Sequence, residues 1–224
     1  MFPNIKTIFF DVGNTLLFPN RKRIHEPLTN RGLTPDPELL NELERRTKNQ
    51  FDARMTEDGS TDHSFWSMFY TDLLNELGLN DDAVRDQLVS SIRNSANWDQ
   101  IRPGTREQLQ QIGKRYRIAV ISNADGKIED VLRRCNIADC FLNITDSGLV
   151  GHEKPHPEIF RQALKAMNAT PKESLYVGDM YWVDYLGATG AGLQAVLMDV
   201  PGAYVEKDVP RVESLEELNS VLQS

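Results

Sequence analysis

Short apolar, β-rich runs return along this chain with amphipathic helical patterns between them, and this alternation restricts the fold more than any other feature. Ile5–Phe10 (IKTIFF) comes first, then Ile118–Ile121 (IAVI), Phe141–Ile144 (FLNI), Leu175–Val177 (LYV) and Ala195–Met198 (AVLM). One helical pattern carries Leu109, Ile112 and Tyr116, and a second carries Ile128, Val131, Leu132 and Cys135. A third has Ile159, Phe160, Ala163, Leu164 and Met167, with Pro157 well placed in its first turn. Ser214 and Glu217 form a capping box for a last helix bearing Leu215, Leu218 and Leu222. Strands alternating with helices at this spacing predict a parallel sheet with helices on both faces.

The alternation is broken once. From about Phe18 to Gln100 only helical patterns occur. Leu40, Leu43, Phe51 and Met55 mark one helix, and Val84, Leu88 and Ile92 another. Between them Phe65, Trp66, Phe69, Tyr70, Leu73, Leu74 and Leu77 form a wide stripe at helical spacing, read as core rather than as a pocket lining. Pro103-Gly104 marks the return. The expected organisation is an α/β core of residues 1–17 and 101–224 with an all-helical module, 18–100, inserted after the first strand.

Composition narrows the partners. A net charge of −8 over 224 residues offers no polyanion-binding surface, so nucleic acid is excluded as a partner. No apolar run approaches the ~20 residues of a membrane span, and the N-terminus does not read as a signal peptide. The two cysteines, Cys135 and Cys140, are too few for a disulfide framework and are expected as buried free thiols. A cytoplasmic location follows as the expectation. Nothing in the sequence encodes an oligomeric state.

Open α/β sheets bind ligands beyond the carboxyl ends of their strands. Asp11 follows the first predicted strand, Ser122 and Asn123 follow IAVI, and Gly178-Asp179 follows LYV with Asp184 five residues on. Lys154 lies in the loop before the third helix. Three carboxylates on one rim repel unless a cation lies among them, and Mg²⁺ suits oxygen ligands together with a substrate phosphate. A carboxylate beside such an ion can attack phosphorus and form an aspartyl-phosphate. Ser122 and Lys154 would then neutralise and hydrogen-bond the transferring oxygens.

The stretches DVGNT at 11–15, SN at 122–123, EKPHPEIF at 153–160 and VGDMYWVDYLGATGAG at 177–192 resemble the four signature motifs of the haloacid dehalogenase (HAD) superfamily. Order and spacing match over nearly the whole chain. The resemblance implies an HAD-like Rossmannoid core with a central parallel sheet, and identifies the insertion as similar to the family's helical C1 cap. It implies that Asp11 is the nucleophile, that Ser122, with Asn123 beside it, and Lys154 bind phosphate, and that Asp179 and Asp184 support Mg²⁺. The Gly13 backbone carbonyl would be a further metal ligand. The implied activity is hydrolysis of a small phosphorylated metabolite.

Position 13 departs from the family pattern. HAD phosphatases carry there a second Asp that protonates the leaving alcohol and later activates water, and glycine does neither. Losing such a group typically costs ~10²–10⁴-fold. The expected remedies are a leaving group that is already good, as in acyl or aryl phosphates, or a proton donor from the insertion, with His25, Asp62 and His63 as candidates. Dehalogenases also lack this Asp, but they tend to lack the Gly-Asp retained here at 178–179. A phosphonatase would need an inserted lysine at the nucleophile. Only Lys22 and Lys48 are available, and Lys48, in RRTKNQF, is expected on a solvated helix face. The remaining alternative is an inactive domain that binds a ligand or a protein.

Overall fold

The computed structural model describes residues 2–58 and 64–223, with the side chains of 56–58 excepted. Its strands are β1 (Thr7–Phe10), β2 (Leu17–Phe18), β3 (Gln100–Ile101), β4 (Arg117–Ser122), β5 (Ile144–Asp146), β6 (Ser174–Gly178), β7 (Gln194–Met198) and β8 (Arg211–Val212). Six of them form one parallel sheet in the order β5-β4-β1-β6-β7-β8. From β1 the chain winds outward through β4 to β5, and from β6 it winds the other way to β8. The strand order therefore reverses beside β1, and the crevice of a doubly wound sheet opens there, above Asp11 and Asp179.

Side-chain alternation explains the layers. Ile8, Phe10, Val120 and Val177 join one apolar cluster, while Phe9, Ala119, Ile121 and Tyr176 join a second on the opposite face. Parallel strands covered on both faces read as continuous apolar runs, which is why IKTIFF and IAVI were legible.

The helices are α1 (Arg21–Ile24), α2 (Glu26–Thr29), α3 (Pro37–Asp58), α4 (Phe65–Glu76), α5 (Asp82–Arg93), α6 (Thr105–Gly113), α7 (Ile128–Arg134), α8 (Ser147–Val150), α9 (Pro157–Ala166), α10 (Gly187–Gly190) and α11 (Leu215–Val221). Pro157 opens α9 as expected. At α11 the Ser214 side chain accepts from Glu217 N and the Glu217 carboxylate accepts from Glu213 N, a capping box reaching one residue further back than the simplest form. The insert, α1 to α5, has its own core, including Ile24, Leu43, Phe69, Tyr70, Leu73, Leu88 and Ile92. A smaller cluster of Phe51, Met55 and Phe65 packs on Met180, Trp182 and Val183, and so docks the insert on the segment after β6.

Three expectations are corrected. The strand placed at Phe141–Ile144 lies at Ile144–Asp146, because the ladder with β4 runs from Val120–Ile144 to Ser122–Asp146. Upstream of it Phe141 turns into the core and Leu142 is 66% exposed. The insertion is not wholly free of strand: Leu17–Phe18 pairs antiparallel with Gln100–Ile101, a two-residue ladder too short to show periodicity. Cys135 and Cys140 are free thiols, but half-buried rather than buried. Among the described residues no helix is long and apolar enough to cross a membrane.

Candidate active site

Asp11 leaves β1 with its N–H bonded to Val177 O at 2.8 Å, so two adjacent strands fix its position. The chain then turns sharply. Leu16 N and Leu17 N both donate to Val12 O at 2.9 Å, and Asn14 takes a left-handed φ of +52°, which asparagine tolerates better than most residues. The turn holds Asp11 and Gly13 at the floor of a cavity of about 500 Å³. Ser122, Asn123, Lys154, Asp179 and Asp184 line the same cavity. Every residue assigned to the site from sequence is thus brought to one place.

Lys154 is the hub. Its ammonium donates to Asp11 Oδ1 at 2.6 Å, Asp184 Oδ1 at 2.7 Å and the Tyr176 hydroxyl at 2.7 Å. The Lys154 side chain is only 2% exposed, and a buried ammonium persists because paired carboxylates offset its desolvation. Burial by itself would lower this ammonium, but Asp11 and Asp184 override it and hold it above the ordinary lysine value. Burial raises the Asp11 carboxyl to about 7; Lys154 opposes the rise, while Asp184 and Asp179 add to it.

Asn123 also holds the loop that carries Lys154. Its side-chain carbonyl accepts from Lys154 N at 2.7 Å and its amide donates to Lys154 O at 3.0 Å. From the cavity lining, the side chain thus clamps the backbone of Lys154. Asp184 is seated by Met180 N at 2.9 Å, and its approach to the sheet requires glycine at 178. A Cβ there would lie 2.5 Å from Asp184 Cγ.

Lys48 overturns its expectation. Instead of facing solvent it is fully buried, with its ammonium 2.8 Å from Asp179 Oδ2, 3.1 Å from Asp179 O and 3.4 Å from Glu44 Oε1. Burial would lower this ammonium, but Asp179 and Glu44 more than compensate and raise it. A lysine held protonated is a poor amine nucleophile, and its partners are Asp179 and Glu44 rather than Asp11, so a Schiff-base role gains no support. Burial raises Asp179 in turn, against the pull of Lys48. Lys22, the other inserted lysine, is exposed.

Of the candidate proton donors, His25 lies in the core of the insert, its ring edge-on to Tyr70 at 6.0 Å, and is not among the cavity's lining residues. Asp62 and His63 lie outside the described residues. The aromatic stripe divides: Phe69, Tyr70, Leu73 and Leu74 are core, while Phe65 and Trp66 also line the cavity with Phe51, Ile92, Trp98 and Val183.

Asp11, Asp179 and Asp184 each offer a carboxylate oxygen, and the three lie within 4.8 Å of one another. Three carboxylates face two ammonium groups, Lys154 and Lys48, so the cluster has one more acid than base. A hard, oxygen-seeking divalent cation fits this donor set.

A doubly wound sheet, an aspartate-bearing turn after its first strand and a buried lysine bridging two carboxylates meet at one cavity. This chain belongs to the haloacid dehalogenase-like hydrolase family, whose profile matches residues 5–192. The chain is 30% identical to glyceraldehyde 3-phosphate phosphatase of Pyrococcus furiosus, across 92% of this chain and 85% of that one. It is 27% identical to haloacid dehalogenase-like hydrolase domain-containing protein 3 of Homo sapiens, across 97% and 92%. Among solved structures, the HAD-hydrolase YfnB of Bacillus subtilis, bound to magnesium, matches with a TM-score of 0.71 at 20% identity, over 99% of this chain and 100% of that one. This last likeness is one of fold.

Proposed function

We propose that this enzyme is a Mg²⁺-dependent phosphatase that hydrolyses a small phosphorylated metabolite through an aspartyl-phosphate on Asp11. The observation that carries this is the Lys154 hub, whose 2.6 Å bond to Asp11 puts a fixed positive charge where transferring phosphoryl oxygens would lie. Ser122 lines the same cavity and would donate to those oxygens. Asn123 sets the position of Lys154 through its backbone. The names of relatives that act on glyceraldehyde 3-phosphate support the substrate class.

Asp11, Asp179, Asp184 and the Gly13 carbonyl would hold Mg²⁺. The ion would supply charge neutralisation for the transferring group. Lys48 restrains Asp179 from the insert side, which ties the helical layer to the catalytic rim. We read residues 18–100 as a cap over a core of 1–17 and 101–224, and the cap excludes water from the reacting atoms.

The test is phosphate release from an aryl phosphate and from glyceraldehyde 3-phosphate, with and without Mg²⁺, against Asp11→Asn. The expected outcome is Mg²⁺-dependent turnover of at least one substrate, reduced by on the order of 10⁴-fold or more in the variant. No release above the variant across a phosphate panel would leave a binding domain instead.

A further inference from the structure

Gly13 leaves no empty space behind it. A Cβ built there would lie 3.3 Å from Cζ3 of Trp98 and 3.6 Å from its Cε3 and Cη2, so the indole fills the direction a side chain at 13 would take. The ring is pinned at both ends. Its Nε1 donates to Ile92 O at 2.7 Å, and it packs edge-on against Trp66 with centroids 5.7 Å apart. The β2–β3 ladder, two residues beyond Trp98, anchors it to the strand that follows the Asp11 turn. Phe51, Phe65, Trp66 and Ile92 continue an apolar wall from Trp98 around the cavity. The further carboxylates lining the cavity, Asp125 and Glu153, belong to core loops, after β4 and before α9.

We propose that Trp98 is the specificity-determining residue of this site. It selects monophosphates with a planar leaving group that is stable as an oxyanion, an aryl or acyl oxygen, which departs without a proton from the protein. The proposal rests on the phosphatase reading and narrows it. An Asp11 carboxylate oxygen attacks phosphorus as the bond to the leaving oxygen breaks. The electron pair of that bond departs on the leaving oxygen, which is released as the oxyanion and is protonated by solvent only where its pKa lies above the pH. Water then attacks phosphorus, Asp11 leaves as a carboxylate, and the water's proton passes to the phosphate product. With no acid at 13 the first step slows as the leaving oxygen becomes more basic, and the aromatic wall that Trp98 begins favours a planar group over an aliphatic one.

The experiment measures kcat/KM over substituted phenyl phosphates from nitrophenyl to methoxyphenyl, with acetyl phosphate as the acyl arm and glyceraldehyde 3-phosphate as the alkyl arm. The expected result is a steep fall as the phenol becomes more basic, with the alkyl arm roughly 10²-fold or more below nitrophenyl phosphate. Gly13→Asp alone is expected not to rescue the alkyl arm, because the indole blocks the new carboxylate. Gly13→Asp with Trp98→Ala is expected to flatten the slope and raise the alkyl arm. The wild-type slope decides the matter even where the double variant does not fold. A shallow slope with alkyl and aryl arms equal overturns the inference and leaves the phosphatase reading intact; no release above Asp11→Asn from any arm overturns that reading instead.

Discussion

On the core side of the cavity, polar groups hold one another. Lys154 bonds Asp11, Asp184 and Tyr176, Asn123 clamps the lysine's backbone, and Asp179 is met by Lys48 reaching across from the insert. On the insert side, Trp98, Trp66, Phe65 and Phe51 line the same space, and Trp98 has a single side-chain hydrogen bond, to Ile92 O. Buried ionic groups tolerate little change, since removing one partner strands the other, whereas an apolar wall accepts volume-conserving exchange. On the proposed function, the contrast puts bond-breaking on the core and substrate choice on the insert.

Lys154→Met tests the core side most severely. It leaves Asp11 and Asp184 facing each other without their shared cation, and breaking a buried pair this way costs about 3–5 kcal/mol. Urea denaturation should show that loss, and turnover should fall with it. A variant with unchanged midpoint and activity would mean that the network does not hold the rim.

The same contrast governs what was legible in the sequence. Asp11, Ser122 and Asp179 stand at or just beyond strand ends, where the fold class alone predicts a ligand crevice, and Asp184 lies in the helical turn that follows β6. Lys48 was illegible because RRTKNQF reads as a charged face. Yet Glu44, Lys48, Phe51, Asp52 and Met55 share one side of α3, and all five are buried. Only the docking of that helix over Asp179 makes an ammonium stable there. Tyr176 was readable as core from its strand, but the partners of its hydroxyl come from three other segments. Trp98 owes its place to two-residue strands that leave no periodic signal. Local pattern therefore reached the core half of the site and stopped at the tertiary contacts that build the wall.

Behind the wall, His25 offers a test that separates stability from chemistry. Its imidazole is 4% exposed, and burial, with Arg21 adding, lowers it from 6.5 to about 4. The unfolded chain therefore takes up this proton first. The stability His25 contributes is complete above about pH 6.5 and is lost as pH falls to about 4, by up to about 3 kcal/mol. Asp52 acts in the opposite sense, because burial raises its carboxyl to about 6 and the folded state then holds the proton more tightly. The difference between wild type and His25→Gln isolates the histidine. Urea midpoints at pH 7 and pH 4.5 should converge in the variant, with kcat at pH 7 unchanged. Parallel pH profiles for the two proteins would sink the assignment.

The smallest expected effect sharpens the comparison furthest. Tyr176→Phe removes one hydroxyl from the core side, where it accepts from Lys154 at 2.7 Å and lies 3.2 Å from Ile121 O and 3.1 Å from Asp184 Oδ1. The ring keeps its packing against Phe160, so the stability cost should be only about 1–2 kcal/mol. What the lysine loses is direction. With two carboxylate partners and no third bond, its ammonium can swing between Asp11 and Asp184, and the charge meant for the transferring oxygens is less well placed. That loss falls on the transition state, so kcat should drop by roughly tenfold with KM little changed. Trp66→Phe on the wall is the matched control: it trims apolar contact with the bound group and should raise KM more than it lowers kcat. If Tyr176→Phe moved KM and Trp66→Phe moved kcat, the division between a rim that breaks the bond and a wall that selects the substrate would be wrong.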